Sequence, residues 1–126
     1  TANEFQFGLV ADSINPTPGR VNDFSFLQST PANFNITLIV DDSHGIGWLG
    51  EKGEGIRSLL QLPGSVELLL NFSLSKAFHI NGGAVCGSRK WLSAVRQHVN
   101  YATSTPLMPS LAFAWLHAGH LFQQQR

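Results

Sequence analysis

The sequence predicts an α/β fold, a mostly parallel sheet flanked by helices, on three observations. Ile36-Thr37-Leu38-Ile39-Val40 is apolar and β-branched with little alternation, the pattern of a parallel strand covered on both faces. That run ends abruptly in Asp41-Asp42-Ser43-His44, and ligands in open α/β sheets sit beyond the carboxyl ends of the strands. A second apolar run, Val66 to Phe72, ends likewise in polar chemistry, at Ser73-Leu74-Ser75-Lys76.

Taken in order, Phe5 to Ala11 reads as a first strand. Asn15-Pro16-Thr17-Pro18-Gly19 is a turn, because two prolines fix backbone angles and Gly19 permits a left-handed one. Phe24 and Leu27 are spaced for a single helical turn, and Ser29 to Asn33 connects it to the central strand. Gly45, Gly47, Gly50, Gly53 and Gly55 then mark a loop that turns sharply or approaches something closely. The spacing is not that of a dinucleotide-binding loop. Ile56 to Leu62 gives a short helix at most, stopped by Pro63-Gly64. After the strand from Val66 to Phe72, Gly82 to Gly87 is a small-residue strand too close for a helical crossover, so it should run antiparallel or pair by a tight reversal. Ser88 should cap a helix from Arg89 to about Tyr101, with Trp91, Leu92, Val95 and Val99 on one face. The last helix, from about Ser110, carries Leu111, Phe113, Ala114, Trp115, Leu116 and Leu121 around most of its circumference and should be buried or packed on a partner.

The 126 residues suffice for one domain with one core. Eight basic and eight acidic side chains cancel, and no basic stripe exists, which argues against nucleic acid or an anionic membrane as partner. Cys86 is the single cysteine, so no internal disulfide can form and a reducing, cytoplasmic compartment is expected. Between Val85 and Gly87 it reads as a small buried residue. The N-terminus has no signal-peptide shape, and no apolar run is long enough to span a bilayer. Gln123 to Arg126 stops inside a helical pattern without a glycine, as a piece of a longer protein would.

Asp41 and Lys76 fall at the carboxyl ends of two predicted parallel strands, on one sheet edge. A lysine partly withdrawn from water can form a Schiff base, and a buried aspartate can hold a protonated pyridine nitrogen. A salt bridge, or two unrelated surface charges, is the plainer reading. Ser73 and Lys76 also fit S-x-x-K, without the companion motifs of serine-acylating enzymes. Asp41, His44, His79 and Cys86 could ligate a metal, and His117 and His120 share a helix face, but no ligand spacing supports a metal site and none is expected.

Val40-Asp41-Asp42-Ser43-His44-Gly45, then Gly50-Glu51-Lys52-Gly53-Glu54-Gly55, then Ser73-Leu74-Ser75-Lys76-Ala77 with Gly82-Gly83, closely resemble the fold-type I pyridoxal phosphate enzymes, nearest the α-oxoamine synthases. The resemblance covers nearly the whole chain. It implies a pyridoxal 5'-phosphate cofactor, with amino acid and acyl-CoA as substrates. Catalytic roles would fall to Lys76, Asp41 and His44. Lys76 matches the lysine that carries the cofactor, Asp41 the aspartate on the pyridine nitrogen, and His44 the histidine on the phenolic oxygen. Ser73 matches a hydroxyl on the phosphate. Ser104 and Thr105, in Thr103-Ser104-Thr105-Pro106, resemble the segment that reaches a neighbouring subunit's phosphate, which implies a homodimer. Two positions depart from the family pattern: Pro16-Thr17-Pro18-Gly19 replaces a serine-containing turn, and Glu54 stands where arginine is common. The resemblance implies that residues 1–126 are part of the cofactor-binding large domain, without its upstream segment or small domain. The alternatives are a class II aminotransferase and a non-catalytic fragment or paralogue that keeps the fold. On any of these the isolated segment should be inactive.

Overall fold

The computed structural model describes residues 5–124, and of 119–124 the backbone alone. The strands are β1 (Phe5–Asp12), β2 (Ile14–Asn15), β3 (Arg20–Val21), β4 (Phe34–Asp41), β5 (Val66–Ser73) and β6 (Gly83–Cys86). The helices are α1 (Ser75–Phe78), α2 (Arg89–Gln97), α3 (Val99–Ala102) and α4 (Pro109–Gln124), with single 3-10 turns at Ser25–Ser29 and Ile56–Leu59.

Four strands form one sheet in the order β1-β4-β5-β6. The central strand β4 runs parallel to β1 and β5, and β6 lies antiparallel to β5. Leu9, Leu38 and Leu68 face one another across the sheet, as do Val10, Ile39 and Leu69 one step on. Successive side chains on a strand alternate between faces. One face therefore carries Leu38, Val40, Val66 and Leu70 into the core, where Ile14, Phe24, Leu27, Leu49 and Ile56 meet them. On the other face of β4, Thr37 and Ile39 are half-buried, short of the full cover that the unalternated pattern suggested. Leu69 is buried there, but Val10 is 74% exposed. Trp91 covers part of this face by donating from Nε1 to Glu67 (2.7 Å).

The expected turn at Asn15 to Gly19 is the tip of a small hairpin, β2 with β3. Asn15 closes it, accepting the Gly19 N–H at its carbonyl (2.9 Å) and the Thr17 N–H at its side chain (3.1 Å). The Thr17–Pro18 peptide is cis.

The glycine loop is built around Asp42. The Asp42 carbonyl accepts from Gly45 N–H (3.0 Å) and Ile46 N–H (2.8 Å), and its carboxylate accepts from Ile56 N–H (3.0 Å). A Cβ at Gly45 or Gly55 would run into that carboxylate, and one at Gly47 into the Ala77 methyl group. At Gly45, Gly47 and Gly55 the close approaches that call for glycine are made by the chain's own side chains. Glu54, the departure from the family pattern, accepts the Lys52 N–H (2.9 Å) and so fastens the loop's far end.

Three further expectations change. The helix expected to reach Tyr101 breaks at His98, whose backbone is extended and whose Nδ1 accepts the Asn100 N–H (3.2 Å) to start α3. A side chain that bonds nearby backbone competes with the helical ladder in this way. Ser88 holds the N-cap position of α2, but its hydroxyl makes no capping bond. Cys86 is exposed rather than buried, since β6 is the edge strand and its side chain has no layer above it. On α4, Phe113 is 64% and Leu116 62% exposed, so the described part of the helix is not buried within this chain. The expectations that involve the side chains of His120, Leu121 and Gln123 to Arg126, and the N-terminal Thr1 to Glu4, lie outside the described residues. Among the described residues no helix is long and apolar enough to cross a membrane.

Candidate active site

Parallel pairing brings the ends of β4 and β5 level, Asp41 opposite Asn71. Alternation then sends the two adjacent carboxylates apart. Asp42 points into the core and is 1% exposed, while Asp41 is half-buried at the sheet edge. The Asp41 carboxylate accepts the Ser43 N–H (2.8 Å) on one oxygen and the Asn71 side-chain amide (3.0 Å) on the other. Burial pushes its pKa up, but the Ser43 hydroxyl and N–H, Asn71 and the charge of Lys76 together outweigh it, and the carboxyl lies below its ordinary value. Asp41 is therefore held as an anion.

Asp42 shows the opposite balance. Burial raises its pKa, the neighbouring Asp41 adds to the rise, and Ser13 and the Ile56 N–H only partly oppose it. Ser13 is close enough to influence the carboxyl, yet its Oγ and Asp42 Oδ1 are both buried without a hydrogen bond of good geometry.

Ser43 fastens the two strand ends together, its hydroxyl accepting the Ser73 N–H (2.8 Å). The last residue of β5, Ser73, shares a hydrogen bond with the Ser75 hydroxyl (2.7 Å) and accepts the Ser75 N–H (3.2 Å), which opens α1. One residue further, Lys76 Nζ lies 2.9 Å from Nε2 of His44. Lys76 is exposed, not withdrawn from water. It forms no ion pair with Asp41; Lys90 pairs with Glu67 at 4.0 Å. Ser43, His44, Ile46, Gly47, Trp48, Lys76 and Ala77 line a cleft of about 250 Å³.

Asp41, His44, Ser73 and Lys76 thus occupy one edge, while Ser104 and Thr105 are exposed, with the Ser104 hydroxyl donating to the Tyr101 carbonyl (2.8 Å). Among the described residues no three potential metal ligands come together. Asn71, Ser43, Ser75 and Trp48 join the site without having been singled out from the sequence. Asn71 had a signal, a polar residue interrupting an apolar strand one step from its end. An anion, a row of hydroxyls and an amine beside an imidazole can bind a charged ring, a phosphate and a carbonyl carbon.

The chain matches the Aminotransferase class I and II family over residues 6–125. It is 34% identical over 122 residues to the 8-amino-7-oxononanoate synthase of Aliivibrio salmonicida, covering 93% of this chain and 30% of that protein. Among solved structures it resembles the 8-amino-7-oxononanoate synthase of Francisella tularensis, with a TM-score of 0.71 and 24% identity over 98% of this chain and 35% of the other. It also resembles the serine palmitoyltransferase of S. paucimobilis with a bound PLP-myriocin aldimine, with a TM-score of 0.76 and 18% identity over 98% of this chain and 31% of the other. At those identities the two structures speak for the fold. The chain spans 25% to 30% of the length of the curated synthases it matches. From the family match and this sheet, the chain belongs to the class I and II aminotransferase family.

Proposed function

We propose that the whole protein is a pyridoxal phosphate-dependent acyltransferase that condenses an amino acid with an acyl-CoA, releasing carbon dioxide and CoA. The observation that carries this reading is the convergence of Asp41, His44, Ser73 and Lys76 at the ends of β4 and β5. The similarity to 8-amino-7-oxononanoate synthases supports condensation ahead of the other reactions such a site allows. The residues present fit the cofactor. Asp41 is a carboxylate kept ionised by its hydrogen bonds, which suits a protonated pyridine nitrogen. Ser73 and Ser75 offer hydroxyls for a phosphate, and His44 offers Nε2 for a phenolic oxygen. Pyridoxal phosphate supplies an electron sink for the bond broken at the amino acid's α-carbon. Lys76 would hold the cofactor and take the α-proton, its amine being positioned by His44. Ser104 and Thr105 would reach the phosphate of a second copy in a homodimer, and the described residues would form part of the large domain.

The test is thiol release. The whole protein, loaded with pyridoxal phosphate, should release free CoA from an acyl-CoA only when an amino acid is also present. Glycine, alanine and serine with short and long acyl-CoAs form the first panel. Amino-group transfer to a keto acid without thiol release would instead favour an aminotransferase, the reaction in the family's own description. Cofactor binding with neither activity would favour a non-catalytic protein.

A further inference from the structure

The fold sets an exposed tryptophan beside the amine, and the reaction proposed above gives it no task. Trp48 is 65% exposed. Its backbone is nonetheless fixed: the Trp48 N–H donates to the Gly45 carbonyl (3.0 Å), and the Gly47 N–H to the Gly53 carbonyl (2.9 Å). Gly47, at φ 81°, lies so close to α1 that a Cβ there would meet the Ala77 methyl group at 2.6 Å. Ala77 follows Lys76 in the chain, so the glycine loop rests directly on the helix that carries the amine. The resulting cleft has two unlike walls. Ser43, His44 and Lys76 are polar, while Ile46, Trp48 and Ala77 are apolar. Ligand sites combine apolar walls with a few placed polar groups in this manner. A large ring left in water on a fixed backbone also forgoes burial that a ligand can restore.

We propose that Trp48 is a specificity-determining residue, the surface along which the acyl chain of the acyl donor lies while its thioester end reaches the edge that carries Lys76. The proposal deepens the acyl-CoA reading and rests on it. An acyl chain suits this wall better than the amino acid does, since Ile46, Trp48 and Ala77 offer no group for a carboxylate. The cleft, of about 250 Å³, adjoins the amine, where the chain must begin.

The test uses the whole protein loaded with pyridoxal phosphate. Palmitoyl-CoA should change the tryptophan fluorescence of the wild type, free CoA should not, and Trp48→Phe should abolish the palmitoyl-CoA signal. In steady state, Trp48→Ala should raise the KM for the long acyl-CoA on the order of tenfold and leave that for the amino acid unchanged. A fluorescence change that persists in Trp48→Phe, or none in the wild type, overturns the proposal. So does a Trp48→Ala protein that binds palmitoyl-CoA normally but sediments as a monomer where the wild type is a dimer, since Trp48 would then serve the subunit contact. Thiol release without a Trp48-dependent signal would sink this proposal and leave the acyltransferase reading standing. A Trp48-dependent signal without thiol release would sink the acyltransferase reading and, with it, the role proposed here for Trp48.

Discussion

Lys76 Nζ and His44 Nε2 lie 2.9 Å apart across 32 residues of sequence. The contact arises because His44 follows the end of β4, Lys76 follows the end of β5, and the two strands are parallel and in register. Ser43 secures the register at that end through the Ser73 N–H.

That relationship makes Lys76 the lysine expected to carry the cofactor. Borohydride reduction of the loaded protein followed by peptide mapping should place the pyridoxyl group on Lys76. Label on Lys52 or Lys90 in its stead would refute the assignment.

The neighbouring carboxylates should separate by readout. Asp41→Asn should suppress turnover strongly while leaving cofactor bound and costing less stability than the change at Asp42. Asp42→Ala should destabilise the protein by about 1–3 kcal/mol, because it strips the buried Ile56 N–H of its acceptor. Turnover and urea unfolding on both variants give the comparison. Equal effects in both assays would count against the division of roles.

The two carboxyls should also pull the pH dependence of stability in opposite directions. Asp41 has a lowered pKa in the fold, so its contribution is present above the unfolded-state pKa and is lost as pH falls through the folded value. Asp42 has a raised pKa, so the fold binds its proton more tightly and stability declines as pH rises through the folded value. Asp42→Asn should remove that decline, and Asp41→Asn should soften the loss on acidification. Urea midpoints measured across the acid range would show whether the slopes change with these signs.

Gly55→Ala should cost about 1–3 kcal/mol, combining strain at φ 83° with a collision against the Asp42 carboxylate. Gly64→Ala, where a Cβ meets open space, should stay within about 0.5 kcal/mol of wild type. Similar losses at both positions would mean that the loop is not packed around Asp42.

The exposed Phe113 and Leu116 on α4 lead to the expectation of self-association, since an apolar helix needs burial on more than one side. The whole protein should sediment as a dimer. A fully active monomer would rule this out.

The sequence by itself determined the parallel strands, because Ile36 to Val40 and Val66 to Phe72 are apolar runs that end in polar residues. It also marked one strand edge as the candidate site, and placed Asp41, His44, Ser73 and Lys76 on it through a motif local to each strand end. Tertiary structure decided what depends on partners distant in the chain. Asn71 and Ser43 join the site because registration across β4 and β5 brings them to Asp41 and Ser73, and no local pattern encodes register. Asp42 and Asp41 are identical in type and adjacent in sequence. Only the core on one face, with Ile56 and Ser13 folded back over it, made one a buried clamp and the other an accessible anion. In the sequence the glycines mark only a sharp turn or a close approach. Their neighbours are Asp42 and Ala77, contacts set by how the loop closes on the sheet edge and α1. Exposure of Val10, Cys86 and α4 was likewise decided by which faces find a second layer within the chain, a property that apolar composition alone does not specify.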